Sequence, residues 1–227
     1  MNRFSIVRAL VFSLLILVSA SIAVAETVYW TDWTSTTAGA PGVTGTLSID
    51  MNTIDVAFSG PYLFAQTSGG TNYWVPSTPY ISPTVGNAPP ASDIIGLGNG
   101  GTATITFSEP VQDPLVALVS WNSNTVDFGV PINILSYGYG YWGNGTPILN
   151  AGGTGFYGSG EVHGVFELPG TFTSISFTHT SEYWHGFTVG VVGPGEEPPG
   201  TIPEPASLIL LGTGLGIVGI AARRRKK

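Results

Sequence analysis

Between Glu26 and Gly193 no long stretch combines a 3.6-residue apolar period with freedom from glycine and proline. A helix needs both, because glycine and proline are the poorest residues in a helix interior. What recurs instead is alternation. Val43, Gly45, Leu47 and Ile49 alternate with Thr44, Thr46, Ser48 and Asp50, and Ile54, Val56 and Phe58 follow in the same rhythm. Ala103, Ile105 and Phe107 alternate with Thr102, Thr104 and Thr106; Ile175 and Phe177 alternate with Ser174, Ser176 and Thr178; Phe187, Val189 and Val191 close the series. Period two places one face of each strand against a core and the other in water. Leu115 to Val119 is a continuous apolar run, which suits a strand covered on both faces. Weaker strand candidates are Val28–Trp33, Tyr62–Gln66 and Val130–Leu135. Many short strands with turn residues between them predict an all-β domain, an antiparallel β-sandwich of jelly-roll type, over residues 26–193. No fixed-period repeat favours a solenoid. Tyr73–Pro90, rich in proline, serine and threonine, reads as a long surface loop, and Tyr137–Gly164, rich in glycine and aromatics, as irregular hairpins.

The two ends are of another kind. Arg3 and Arg8, the apolar run Ala9–Val18 and the small residues Ala23 and Ala25 around Val24 form the charge, apolar core and cleavage site of a secretory signal over residues 1–25. Toward the other end, Pro194-Gly195-Glu196-Glu197-Pro198-Pro199-Gly200 makes up nearly all of a linker (residues 194–201) whose proline and glycine oppose packed structure. Ile202-Pro203-Glu204-Pro205 then leads into the uncharged apolar run Ala206–Ala222, followed by Arg223-Arg224-Arg225-Lys226-Lys227. As a helix the run reaches about 25 Å, near the lower limit for crossing a bilayer core. The basic cluster resists translocation and orients Lys227 toward the cytoplasm, with everything between Ala25 and Ala206 outside.

These three parts, in this order and at this spacing, resemble the PEP-CTERM sorting signal, a family of Gram-negative bacteria that make exopolysaccharide. The resemblance covers residues 202–227 and implies recognition by exosortase, a multi-pass membrane cysteine protease-transpeptidase, after export by signal peptidase and the secretion machinery. It further implies processing near Pro203, Glu204 and Pro205, with Arg223, Arg224 and Arg225 as part of the signal. The protein would be held transiently in the inner membrane, then released or transferred to the cell surface or extracellular space. Pro203 and Pro205 keep the backbone extended and out of the helix, where a protease can grip it.

Charge is segregated just as sharply. All seven Lys and Arg lie in the two ends, and all fourteen Asp and Glu lie between Glu26 and Glu204. A body with no basic side chain cannot neutralise phosphate, which excludes nucleic acid and disfavours anionic lipid as partners. Cysteine is absent, which removes thiol catalysis, cysteine–zinc sites and disulfides.

Few motifs carry chemistry. Gly214-Leu215-Gly216-Ile217-Val218-Gly219 has dinucleotide-binding spacing but lies inside the apolar run, without the strand and acidic residue that fingerprint needs. No G-x-S-x-G elbow occurs. His179, Glu182 and His185 fall around one bend without the spacing of an established zinc motif, so His179 reads as a strand residue and His185 as a loop residue. Asp50, Asn52 and Asp55 offer oxygen ligands at a turn, the one weak calcium site; both residue types are also ordinary turn formers. Asp93, Glu109, Asp127, Glu161, Glu167 and Glu182 supply carboxylates from which a glycoside-cleaving pair would have to come. Thr102, Thr104 and Thr106 line one strand face, but a single threonine strand reads as a solvated sheet face and not as an ice-binding array. The aromatics stand out. Tyr137, Tyr139, Tyr141 and Trp142 fall among glycines, and Tyr183-Trp184 adjoins His185. Such rings stack on the apolar faces of sugars or fill a core.

The reading is an exported, non-enzymatic β protein of the cell surface or extracellular matrix, sorted by exosortase and associated with exopolysaccharide in a biofilm. The alternative is a carbohydrate-binding module using Tyr139, Tyr141, Trp142, Tyr183 and Trp184. A secreted hydrolase would require two carboxylates converging about 5–10 Å apart.

Overall fold

The computed structural model describes residues 25–37 and 42–192. The signal segment up to Val24 and the linker and sorting segment from residue 193 onward lie outside these, so Ala23, Pro203, Glu204, Pro205 and Arg223–Arg225 receive no structural account. Among the described residues no helix is long and apolar enough to cross a membrane.

The described chain is all-β, in two antiparallel sheets, with a single 3-10 turn at Thr78–Tyr80. One sheet contains β1 (Val28–Trp30), β5 (Phe64–Gln66), β6 (Ile94–Leu97), β8 (Leu115–Trp121), β10 (Asn133–Tyr137), β13 (Val162–Glu167) and β15 (His185–Val192). Its order is β10-β13-β8-β15-β6-β5, with β1 continuing the β6 edge of β15. The other contains β2 (Asp32–Thr36), β3 (Val43–Ile49), β4 (Asn52–Ser59), β7 (Gly101–Gln112), β9 (Thr125–Asp127), β11 (Gly145–Leu149), β12 (Gly155–Gly160) and β14 (Thr171–His179), in the order β11-β12-β9-β14-β7-β4-β3-β2.

The alternating residues do what their period requires. Leu47, Val56, Phe58, Ile105, Phe107, Ile175 and Phe177 from one sheet meet Leu118, Phe187, Val189 and Val191 from the other in one buried cluster. Each such side chain contributes about 1.5–3 kcal/mol by leaving water. The intervening hydroxyl residues face outward; Thr102, Thr106, Ser174, Ser176 and Thr178 are exposed, and Thr104 and Ser176 hydrogen-bond across the strands at 2.9 Å. The threonine face is therefore solvated, as its pattern predicts.

β8 is buried at every position from Leu115 to Trp121, because a second cluster covers its far side. That cover corrects the expectation for Tyr73–Pro90. The segment is irregular, yet it buries Trp74, Tyr80 and Val85 against Val28, Trp30, Ile94, Leu115, Ala117 and Val119. Proline and serine prevent regular structure there without preventing burial of the aromatics between them.

Tyr137–Gly164 also differs from expectation. It holds a regular hairpin, β11 and β12, paired from Gly145↔Gly160 to Leu149↔Phe156. Glycine permits this because other chain segments press on it: a Cβ on Gly155 would sit 2.0 Å from the Val126 carbonyl oxygen. The weak candidate Val28–Trp33 is split between sheets at Thr31, whose N–H donates to the Val189 carbonyl at 2.9 Å. Val130–Leu135 is displaced toward the C-terminus as β10.

Candidate functional site

Gly140 and Gly143 bond reciprocally, N–H to carbonyl, at 2.7 and 3.3 Å. The turn they close carries Tyr141 and Trp142 at its tip. Gly140 can form it because it lies directly on the buried His163 ring, where any Cβ would come within 2.3 Å of Cγ. Tyr141 and Trp142 remain 39% and 53% exposed, so the turn holds two large rings out of the core.

Other segments bring rings to the same place. Trp184, half-buried just before β15, lies 6.4 Å from Trp142 between ring centroids and 4.9 Å from Tyr73. Tyr73 stands 5.1 Å from Tyr141, and Tyr141 stands 5.0 Å from Trp142. Phe64, on the edge strand β5, lies over Gly96 and supports Trp184 at 5.5 Å. The contacts are edge-to-face, the arrangement that ring quadrupoles favour. The tertiary fold thus joins Tyr141, Trp142 and Trp184 of the sequence candidates and adds Tyr73 and Phe64. Tyr139 and Tyr183 do not enter this ring network; they stand in solvent, 66% and 92% exposed. Tyr73 had a signal of its own, an aromatic pair with Trp74 inside a polar segment, whereas nothing in the sequence ties Phe64 to residues 141 and 184.

A polar cluster borders the rings. Ser120, at the end of β8 with φ of 60°, donates its hydroxyl to Glu161 Oε2 at 2.6 Å. Asn122 donates its side-chain amide to Glu161 Oε1 at 2.8 Å and its backbone N–H to Glu182 Oε2 at 3.1 Å. Glu161 passes beneath the aromatic turn, its Cγ 3.8 Å from where a Cβ on Gly143 would be. Glu182 precedes Trp184 by two residues. Both carboxyl groups therefore spring from segments that neighbour the ring cluster, and one asparagine spans them.

Behind Glu182 runs a chain of imidazoles. Its Oε2 lies 3.2 Å from His185 Nδ1, and His185 Nε2 lies 3.0 Å from His179 Nδ1. His185 is the fully buried first residue of β15, not the loop residue expected, and His179 ends β14. Burial holds His163, His179 and His185 down at about 4, aided for His179 by the neighbouring His185, so all three are neutral at pH 7. Burial pushes Glu182 up to about 8, opposed by the Asn122 N–H and reinforced by the Glu161 charge. The ring nitrogens point at one another instead of at a common centre, and among the described residues no group of three His, Cys, Asp or Glu is arranged to hold a metal ion.

The remaining candidates are dispersed. Asp50 takes a positive φ of 54° in the turn between β3 and β4 and accepts the Tyr29 hydroxyl at 3.3 Å. Asn52 and Asp55 lie three positions apart on β4, so strand alternation sends them to opposite faces. Asp93 is buried, accepts the Trp33 N–H at 3.0 Å and is raised to about 6, chiefly by burial. Asp127 accepts the Gly129 N–H at 2.8 Å, Glu167 accepts the Asn133 amide at 2.7 Å, and Glu109 is exposed on β7.

No curated protein and no solved structure matches the chain. A family model does match its C-terminal segment: residues 201–226 fit the PEP-CTERM protein-sorting motif. That motif implies an exported protein that transits the membrane and is processed by exosortase. The chain therefore carries the PEP-CTERM protein-sorting motif at its C-terminal end, joined to an antiparallel two-sheet β domain.

Proposed function

We propose that the β domain binds polysaccharide through the cluster of Tyr73, Tyr141, Trp142 and Trp184, and that exosortase sorting delivers it to the cell surface or matrix where exopolysaccharide is met. The single observation that carries this reading is that four aromatic rings from three separate segments gather at the surface with Trp142 more than half exposed. Tyr73 and Trp184 rest on the core while Tyr141 and Trp142 stand out from it. Sugar rings stack on such faces, and Glu161, held by the Ser120 hydroxyl and the Asn122 amide, lies against the turn that carries two of them. The proposed role is non-enzymatic. Secretory cleavage after Ala25 belongs to the same proposal.

A hydrolase reading gains one observation, the bridging of Glu161 and Glu182 by Asn122 with Glu182 kept protonated near pH 7. Each Glu161 oxygen accepts one protein hydrogen bond, which positions the carboxylate equally for either reading. Binding on a glycan array separates the readings. Trp142→Ala and Trp184→Ala should each weaken retention about two- to tenfold, since one stacked ring contributes on the order of 0.5–1.5 kcal/mol, while release of reducing ends stays at background. Unaltered retention by both variants would rule out the cluster.

A further inference from the structure

The ligand class can be narrowed, on the footing of the glycan reading above, by asking what charge the ring cluster expects. No Lys or Arg occurs between Arg8 and Arg223, so no basic side chain of the β domain faces the cluster. Glu161 lies against the turn that carries Tyr141 and Trp142, its Cγ 3.8 Å from where a Cβ on Gly143 would be, and its two oxygens are held by the neutral donors Ser120 and Asn122. These bonds orient a carboxylate without cancelling its charge. The neighbouring groups do not cancel it either: His163 and His185 are buried and neutral, and Glu182 is a second acid. The two exposed rings, Tyr141 and Trp142, add their negative faces.

A neutral glycan would stack on those faces and draw nothing from the uncompensated carboxylate. A uronate would be repelled by it. A protonated amine gains twice, from the ring faces by cation–π attraction and from the carboxylate by a charge-assisted hydrogen bond. We infer that the cluster selects a polysaccharide bearing free amino groups, a de-N-acetylated hexosamine polymer, with Glu161 as the residue that sets the preference.

Calorimetric titration at pH 6 with four tetrasaccharides tests this: glucosamine, N-acetylglucosamine, glucose in β-1,4 linkage, and galacturonate. Glucosamine tetramer should bind about tenfold more tightly than either neutral tetramer, and galacturonate least. Glu161→Gln should bring the glucosamine tetramer down to the affinity of the neutral tetramers measured on the same variant, and a cooperative thermal unfolding transition certifies that the variant is folded. About 0.5 M salt should shrink the advantage in the wild type, because exposed charge pairs are screened. Equal binding of amino and N-acetylated tetramers, with both weakened by Trp184→Ala, would overturn the amine preference and leave the platform standing. Binding of none of the four would overturn the glycan reading together with the inference drawn from it.

Discussion

Glu182 and the three buried histidines oppose one another in how they respond to acid. A histidine held at about 4 binds its proton less readily folded than unfolded, where the ordinary value is 6.5. Between those values the unfolded chain takes up protons that the native domain refuses, so stability falls as pH drops from 6.5 toward 4. Glu182 is raised from 4.5 to about 8 and has the reverse sign: the native domain holds the proton, and stability declines as pH rises through that range. Asp93, raised to about 6, acts like Glu182 over a narrower window at lower pH. Three histidines outnumber the two carboxyls on the acid side. Thermal unfolding followed from pH 4 to 9 should therefore give its highest midpoint at about pH 6–7, with the steeper fall toward acid. Glu182→Gln should flatten the alkaline limb and steepen the acid limb, because its window from 4.5 to about 8 overlaps both and there opposes the histidines. An unchanged alkaline limb would show that Glu182 ionises freely in the native domain.

At the level of elements, β8 shows how pattern and packing share the work. Its unbroken apolar run signals a strand buried on both faces, and both are buried. What covers the outer face is not another regular element but the irregular segment bearing Trp74 and Tyr80, whose rings meet edge-to-face at 5.1 Å. Composition misleads here, because proline and serine report the absence of helix and strand, not the absence of burial. Trp74 is only 2% exposed. Trp74→Ala should cost about 3–5 kcal/mol in urea unfolding, a value for emptying a core site. A loss below about 1 kcal/mol would mean that the segment merely lies on the sheet. Because Tyr73 precedes Trp74 directly, the same variant should weaken glycan retention as the anchored end of the platform loosens. The hairpin of β11 and β12 was hidden for a related reason: glycine content reads as irregularity, although here it serves close backbone approach at Gly155 and Gly145.

For the whole molecule, the sorting motif at residues 201–226 marks the chain for export and exosortase processing. Mass spectrometry of protein from the native cell should find an N-terminus at Glu26 and a carboxyl end near Pro203-Glu204-Pro205. In a strain lacking exosortase, the form ending in Lys227 should accumulate in the membrane. The same carboxyl end in both strains would contradict exosortase processing. Address and class of fold were already legible in the linear chain. A sorting signal acts as a string of charge, apolar length and proline, and alternation at period two is a local property of each strand. Packing in three dimensions settled the rest: the order of strands in two sheets, the burial of Trp74 and Tyr80, and the meeting of Phe64, Tyr73, Tyr141, Trp142 and Trp184 at one place. It likewise separated Tyr139 and Tyr183 from that group and joined Glu161 to Glu182 through Asn122. These are contacts between residues far apart in the chain, selected by how the whole core packs, and no local pattern records which distant partner a side chain will meet.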